Sequence, residues 1–174
     1  MFSDPVQNVA ALGLTEGMRV ADFGAGTGDH TLALGKRVGA HGKVYAIDVN
    51  KNLLDRLQSE AKRQGVLNLE IIWGDLEKRG GSTLKEDAVD LVLLANVLFQ
   101  SEARYSMLLE ARRIVRPGGR VAVIEWSDSF AGLGPAPESV VQPTALNDIA
   151  IQAGLRPERE FAAGAHHYGR IFVK

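Results

Sequence analysis

The sequence predicts an α/β fold, a doubly wound, mostly parallel sheet with helices on both faces. Three observations carry this. Short β-branched segments alternate with amphipathic helical ones along the chain. The first such strand ends in a glycine-rich turn that opens a helix. The run from Ala88 to Ala95 (AVDLVLLA) is almost uninterruptedly apolar, as a strand covered on both faces should be.

Taken in order, Arg19 to Phe23 reads as a short buried strand. Thr27 to Val38 places Leu32, Leu34 and Val38 among small and basic residues, and fits a helix closed by Gly39. Lys43 to Asp48 (KVYAID) is β-branched and aromatic, a second strand. Lys51 to Gln64 carries Leu53, Leu54, Leu57 and Ala61 at helical spacing and stops at Gly65. Leu69 to Trp73 is a third strand and Ala88 to Ala95 a fourth. Ala103 to Val115 is a helix with Leu108, Leu109 and Ile114 on one side. Arg116-Pro117-Gly118-Gly119 reads as a turn and Arg120 to Trp126 as a fifth strand. Ser127 to Pro143, rich in Ser, Gly and Pro, is a long loop. Thr144 to Ala153 is a short helix ended by Gly154. Arg156 to Phe161 and Tyr168 to Val173 are two last strands, joined through Ala162 to His167. Strands and helices in this alternation imply right-handed crossovers. No repeat or linker divides residues 1–174, so one domain is expected.

Composition narrows the class. The chain has 174 residues, 45% apolar and 24% charged, with a net charge of −1. The absence of cysteine excludes disulfides, zinc–cysteine sites, iron–sulfur clusters and a cysteine nucleophile. There is no basic run of the kind that marks a nucleic-acid binder. Residues 1–12 lack a basic start with an apolar core, and no run approaches a membrane span, so a cytoplasmic location is expected.

The chemistry concentrates at Asp22-Phe23-Gly24-Ala25-Gly26-Thr27-Gly28. Glycines here let the backbone turn sharply and approach a ligand, and the helix that follows presents free N–H groups. Nicotinamide enzymes space their glycines G-x-G-x-x-G. This chain has G-x-G-x-G with an acid two positions ahead. Asp22 would repel a pyrophosphate but suits a cationic amine or sulfonium. That charge argument favours S-adenosylmethionine over NAD. Asp48 ends the second strand, where a carboxylate can accept bonds from both ribose hydroxyls. NAD-binding folds share that position, so Asp48 supports an adenosine ligand without choosing between the two. Asp75, in Trp73-Gly74-Asp75-Leu76, follows the third strand and is a candidate acceptor for the adenine amino group. An aspartate after a strand is also a common turn former, so Asp75 alone carries less weight than Asp22 or Asp48.

Val20 to Gly28 resembles motif I of class I S-adenosylmethionine-dependent methyltransferases. Tyr45 to Asp48 resembles their ribose-binding position and Gly74-Asp75 their adenine-contacting pair. Asp90 to Asn96, and Leu109 to Gly119 with the strand after it, resemble the later segments of the same family. The subgroup most similar includes the ubiquinone and menaquinone C-methyltransferases. The resemblance implies a Rossmann-like, seven-stranded sheet in the order 3-2-1-4-5-7-6 with the last strand antiparallel. It implies S-adenosylmethionine as cofactor and S-adenosylhomocysteine as product. The cofactor site would comprise Asp22, Gly24, Ala25, Gly26, Thr27, Gly28, Asp48, Val49, Gly74, Asp75, Leu76, Ala95 and Asn96. Family members often carry substrate elements before the first strand and after the fifth. Here both regions are short, and 127–143 is the candidate substrate-side loop.

Methyl transfer from a sulfonium needs positioning first and a base only where the acceptor must lose a proton. Candidate bases are Glu125, Asp128, His166 and His167, and His30 is expected near the cofactor's carboxylate. Phe99, Tyr105, Trp126 and Phe130 are candidate walls for an apolar acceptor. Asn96-Val97-Leu98-Phe99 is not the Asn/Asp-Pro-Pro-Tyr/Phe motif of amino-directed nucleic-acid methyltransferases. No metal-ligand spacing stands out, so a metal-independent enzyme acting on a small-molecule acceptor is expected. A cofactor-binding auxiliary subunit, or an RNA or protein methyltransferase, are the alternatives, with a nicotinamide dehydrogenase more remote. The oligomeric state stays open, a homodimer included.

Overall fold

A computed structural model of the chain describes residues 3–130, 132 and 134–174. The first two residues of the N-terminal segment, and residues 131 and 133 of the 127–143 loop, lie outside the described residues. Seven strands form one sheet: β1 (Arg19–Phe23), β2 (Lys43–Asp48), β3 (Leu69–Trp73), β4 (Val89–Ala95), β5 (Val115–Trp126), β6 (Arg156–Gly164) and β7 (His167–Val173). Their order is β3-β2-β1-β4-β5-β7-β6. Strands β1 to β5 pair in parallel, and β7 runs antiparallel to both β5 and β6. This is the expected Rossmann-like topology.

Five helices cover the faces: α1 (Pro5–Ala11), α2 (Asp29–Val38), α3 (Lys51–Arg63), α4 (Arg104–Ile114) and α5 (Pro143–Gln152). Alternation along the strands decides which face each residue serves. Val20, Val44, Leu91 and Leu93 pack with Leu34 and Val38 of α2 and Val9 of α1. Ala21, Phe23, Val92 and Leu94 turn the other way and pack on Met107, Leu108 and Ala111 of α4 and Leu146 and Ala150 of α5. Both faces of the central strands are therefore buried, which accounts for the unbroken apolar run in β4.

The sequence gives no periodic signal for α1. It forms because Asp4 caps it, accepting from the Val6 and Gln7 N–H groups, with Pro5 in the first turn. The expected turn at Arg116–Gly119 sits inside β5 as a bulge. Val89 pairs with Val115 and Leu91 with Arg120, so the intervening residues are extruded from the ladder to β4. Gly118 (φ +71°) and Gly119 nevertheless exchange backbone hydrogen bonds with Lys174. The last hairpin is tighter than expected, with only Ala165 and His166 between β6 and β7.

A cleft at the carboxyl edge of the sheet

The carboxyl ends of β1, β2, β3 and β4 meet at one edge: Phe23 pairs with Ile47 and with Leu94, and Asp48 with Trp73. Open α/β sheets bind ligands at this edge, where the chain passes to opposite sides on leaving neighbouring strands. After β1 the chain turns through Gly24, Gly26 and Gly28, at φ +73°, +53° and +90°. A Cβ on Gly24 would lie 2.6 Å from Val97 Cγ2, and one on Gly28 2.2 Å from Leu57 Cδ1. Gly26 differs, since its Cβ position meets nothing nearer than the Gly24 carbonyl oxygen at 3.8 Å. The first and third glycines thus pack the loop against the body of the protein, and the middle one opens onto free space.

The acids around this turn are held in different ways. Asp22 is 2% exposed and accepts a 2.6 Å bond from the Thr31 hydroxyl. Burial pushes its carboxyl up to about 6, partly opposed by that bond. Asp48 accepts from the Gly26 N–H at 2.9 Å and the Asn50 N–H at 2.8 Å, one on each oxygen. Each of its oxygens keeps a further acceptor site. Asp75 accepts from the Glu77 N–H and pairs with Lys78 at 2.9 Å. The bond from Lys78 holds its carboxyl below the usual range. Asn96 follows β4 with φ +55°, a conformation that non-glycine residues seldom adopt and that is found at functional sites. Its N–H donates to the Ile124 carbonyl, its own carbonyl accepts from Gln100 Nε2, and its buried Oδ1 has no protein partner.

Two cavities flank Asn96. One, of about 570 Å³, is lined by Asp48, Val49, Asn50, Leu53, Asp75, Leu76, Glu77, Ser101 and Met107 among others. The second, of about 320 Å³, is lined by Ser3, Pro5, Asp22, Ala25, Thr27, Asp29, His30 and Ala95 among others. Gly24, Gly26, Asn96 and Gln100 line both, so the two are lobes of one cleft with Asp48 in one and Asp22 in the other. Their sizes lie in the range of small-molecule sites, roughly 300–1,000 Å³. Of the expected cofactor residues, Gly28 and Gly74 line neither lobe. Gly28 is the N-cap of α2, and Gly74 packs where a Cβ would come within 2.2 Å of the Gly81 carbonyl oxygen. The other eleven line one lobe or both.

The four candidate bases line neither lobe. Glu125 is fully buried, and its Oε1 accepts from the Leu98 N–H at 2.7 Å. Burial pushes its carboxyl up to about 7. It braces the 3-10 turn Leu98–Gln100 that follows Asn96. Asp128 and His166 bond each other at 2.9 Å, and His166 stacks on Phe130. His167 is buried against the Trp126 ring. His30 does line the Asp22 lobe; burial lowers its pKa, and its Nε2 has no protein partner. Phe99, Tyr105, Trp126 and Phe130 also stay out of the lining. The apolar wall is built instead from Leu53, Leu76, Val97 and Met107. No described residue of 127–143 lines either lobe. Among the described residues no group of three or more His, Cys, Asp or Glu is placed to hold a metal ion, and no helix is long and apolar enough to cross a membrane.

Residues 14–153 match the family model described as a methyltransferase domain. The chain belongs to the class I S-adenosylmethionine-dependent methyltransferases. A solved S-adenosylmethionine-dependent methyltransferase from Aquifex aeolicus superposes with a TM-score of 0.88 at 30% identity, over 98% of this chain and 89% of that one. The ubiquinone/menaquinone biosynthesis C-methyltransferase UbiE of Idiomarina loihiensis is 33% identical over 117 residues, 66% of this chain and 45% of that protein. That of Burkholderia thailandensis is 34% identical over 128 residues, 74% and 51%. The chain therefore spans about half the length of these curated relatives. The residues of the cleft fit the family's cofactor on three counts. Gly26 leaves a cradle that a Cβ would fill, Asn96 Oδ1 is orphaned beside it, and the acids suit a sulfonium and a ribose.

Proposed function

We propose that this chain binds S-adenosylmethionine along the cleft and moves its methyl group to a small-molecule acceptor in the cytoplasm, without a metal. The observation that carries this is the two-lobed cleft with Asp48 at one end, Asp22 at the other and Asn96 at the junction. In the larger lobe Asp48 accepts from the ribose hydroxyls and Asp75 from the adenine amino group, with Val49 and Leu76 against the base. In the smaller lobe Asp22 and the Gly24–Thr27 backbone hold the amino-acid end. Gly28 fixes the loop from behind, and Ala95 and Asn96 wall the junction.

When bound, the cofactor supplies an electrophilic methyl on an already activated leaving group. The protein's task is then to orient two reactants and exclude water. Glu125 serves this indirectly by bracing the turn after Asn96. The relatives' printed name, C-methyltransferase of ubiquinone/menaquinone biosynthesis, supports a small molecule as acceptor.

Calorimetry tests the cofactor assignment. Micromolar binding of S-adenosylmethionine and S-adenosylhomocysteine is expected, and no binding by folded protein refutes it. An S-adenosylhomocysteine-release assay over a broad metabolite panel tests the activity. Binding without turnover on any acceptor would instead indicate an auxiliary subunit.

A further inference from the structure

The 3-10 turn Leu98–Gln100 is too short to hold its own shape, because a single turn fixes several dihedrals for little hydrogen bonding. Yet this segment sets one wall of the cleft. Asn96, Val97, Gln100 and Ser101 all line the larger lobe, and Asn96 and Gln100 line the smaller one as well. Val97 also stands against the Gly24 backbone. The turn must therefore be held from outside.

Two side chains of opposite charge hold it, each by the matching end of a peptide dipole. Leu98 gives its N–H to Glu125 Oε1 at 2.7 Å, and its carbonyl accepts from Arg104 Nε at 2.9 Å. The same Arg104 N–H is shared with the Ser101 carbonyl at 3.1 Å. Arg104 Nη2 reaches the Ser139 carbonyl of the 127–143 loop at 3.4 Å. Glu77 accepts from the Ser101 hydroxyl at 2.6 Å and secures the far end. Arg104 stands where a cation is out of place. It opens α4, where the helix dipole is positive, with no acid in the first turn and no side-chain cap from Ala103. Among the described residues no carboxylate pairs with it, so an ion pair does not account for it. A residue that breaks a local rule without a local gain marks a functional demand.

Resting on the cleft as the cofactor seat, we propose that Arg104 is a positioning residue for methyl transfer. It lines neither lobe. It fixes the Val97–Ser101 segment by its carbonyls, as Glu125 fixes it by an N–H, and so sets the wall that the cofactor meets. Its third bond ties that wall to the 127–143 loop, so the loop bears on the cleft without lining it.

Arg104→Lys isolates the contact, because lysine keeps the charge but has a methylene where arginine has Nε. Calorimetry well below the melting temperature should show S-adenosylhomocysteine bound about tenfold more weakly by Arg104→Ala and at least about threefold more weakly by Arg104→Lys, the loss of a charge-assisted bond. Arg112 is the control, since it lies on the same helix and donates to the Gly154 carbonyl at 3.2 Å, outside both lobes. Arg112→Ala should lose melting temperature yet keep its affinity within about twofold. Amide exchange at saturating ligand gives a readout that general destabilisation does not move. S-adenosylhomocysteine should slow exchange over residues 96–101 in the wild type. Arg104→Ala should lose that protection while keeping the protection of Gly26 and Asn50, whose N–H groups Asp48 holds. Affinity of Arg104→Lys within about twofold of wild type would overturn the proposal, as would an equal loss in Arg112→Ala or unchanged protection of 96–101. If Arg104→Ala does not fold, Arg104→Lys decides alone. If the folded wild type does not bind S-adenosylhomocysteine, the cofactor assignment fails rather than the role of Arg104.

Discussion

Gly24→Ala should be unusually costly for so small a change, and the structure says how the cost divides. The position has φ +73°, which costs an L-residue about 1–2 kcal/mol. The new methyl carbon would stand 2.6 Å from Val97 Cγ2 and 3.0 Å from its Cβ. Carbon atoms prefer about 3.5–4.0 Å, so Val97 must move, at about 1–3 kcal/mol for overpacking. A stiffer unfolded chain returns about 0.4–1 kcal/mol. The net is about 3 kcal/mol, or roughly 6–12 °C in melting temperature for a domain of this size. Denaturant unfolding of Gly24→Ala, Val97→Ala and the double variant separates the two terms. Removing the Val97 methyls relieves the 2.6 Å overlap but leaves the 3.0 Å approach to its Cβ and the backbone strain. The double variant should therefore be more stable than the sum of the singles by about 1–3 kcal/mol. Additivity within about 0.5 kcal/mol would mean that the contact with Val97 does not explain the glycine.

Asp48→Asn should weaken S-adenosylhomocysteine binding by about 10–100-fold in calorimetry, through the loss of a charged hydrogen-bond acceptor and because the single amide oxygen can accept from the Gly26 or the Asn50 N–H but not from both. Glu110 is buried and bonded to Arg113, to Ser82 and to the Gly80 N–H, with its carboxyl held down to about 2 chiefly by the Arg113 and Ser82 bonds against the cost of burial. Its contribution is fully present above about pH 4.5 and is lost as pH falls toward 2. Thermal melts of Glu110→Ala should show a deficit of about 3–5 kcal/mol at neutral pH that shrinks across that window. Glu125 has the opposite sign. Its raised carboxyl takes up a proton in the native state that the unfolded chain lacks, so its cost to folding grows as pH rises from about 4.5 to 7. Glu125→Gln should therefore gain in melting temperature relative to wild type on going from pH 5 to pH 8.5; a constant difference would sink the assignment.

The strands and most helices are legible because each carries its own period or its own apolar run. The ends of β2 and β3 follow from the residues alone, since Lys43 and Leu69 open and Asp48 and Trp73 close clear patterns. α1 was not legible: its signal is a cap and a proline with no strong apolar stripe. The bulge at Arg116–Gly119 reads as a turn because its glycines are turn residues, and only the pairing of Lys174 across from them keeps that segment in the sheet. In the cleft, glycines and acids at strand ends have a local signature. Gln100, Ser101 and Met107 have none, being ordinary residues that the turn after β4 and the start of α4 carry to the edge. Glu125 shows the reverse problem. An acid at the end of β5 resembles a catalytic group in one dimension, yet alternation turns it into the core beneath the 3-10 turn.

The floor of the cleft is made of left-handed backbone, at Gly24, Gly26 and Asn96. Few residues can stand at such positions without strain. The walls are different, because Ser3, Gln100, Ser101 and Met107 occupy unexceptional backbone. The molecule is thus divided into a part that tolerates almost no substitution and a part open to many. An effort to redirect this enzyme to a new acceptor would find its freedom at Ser3 and Gln100, which are not buried, while Ser101 and Met107 stay tied into the body of the protein and the floor keeps the methyl donor's seat unchanged.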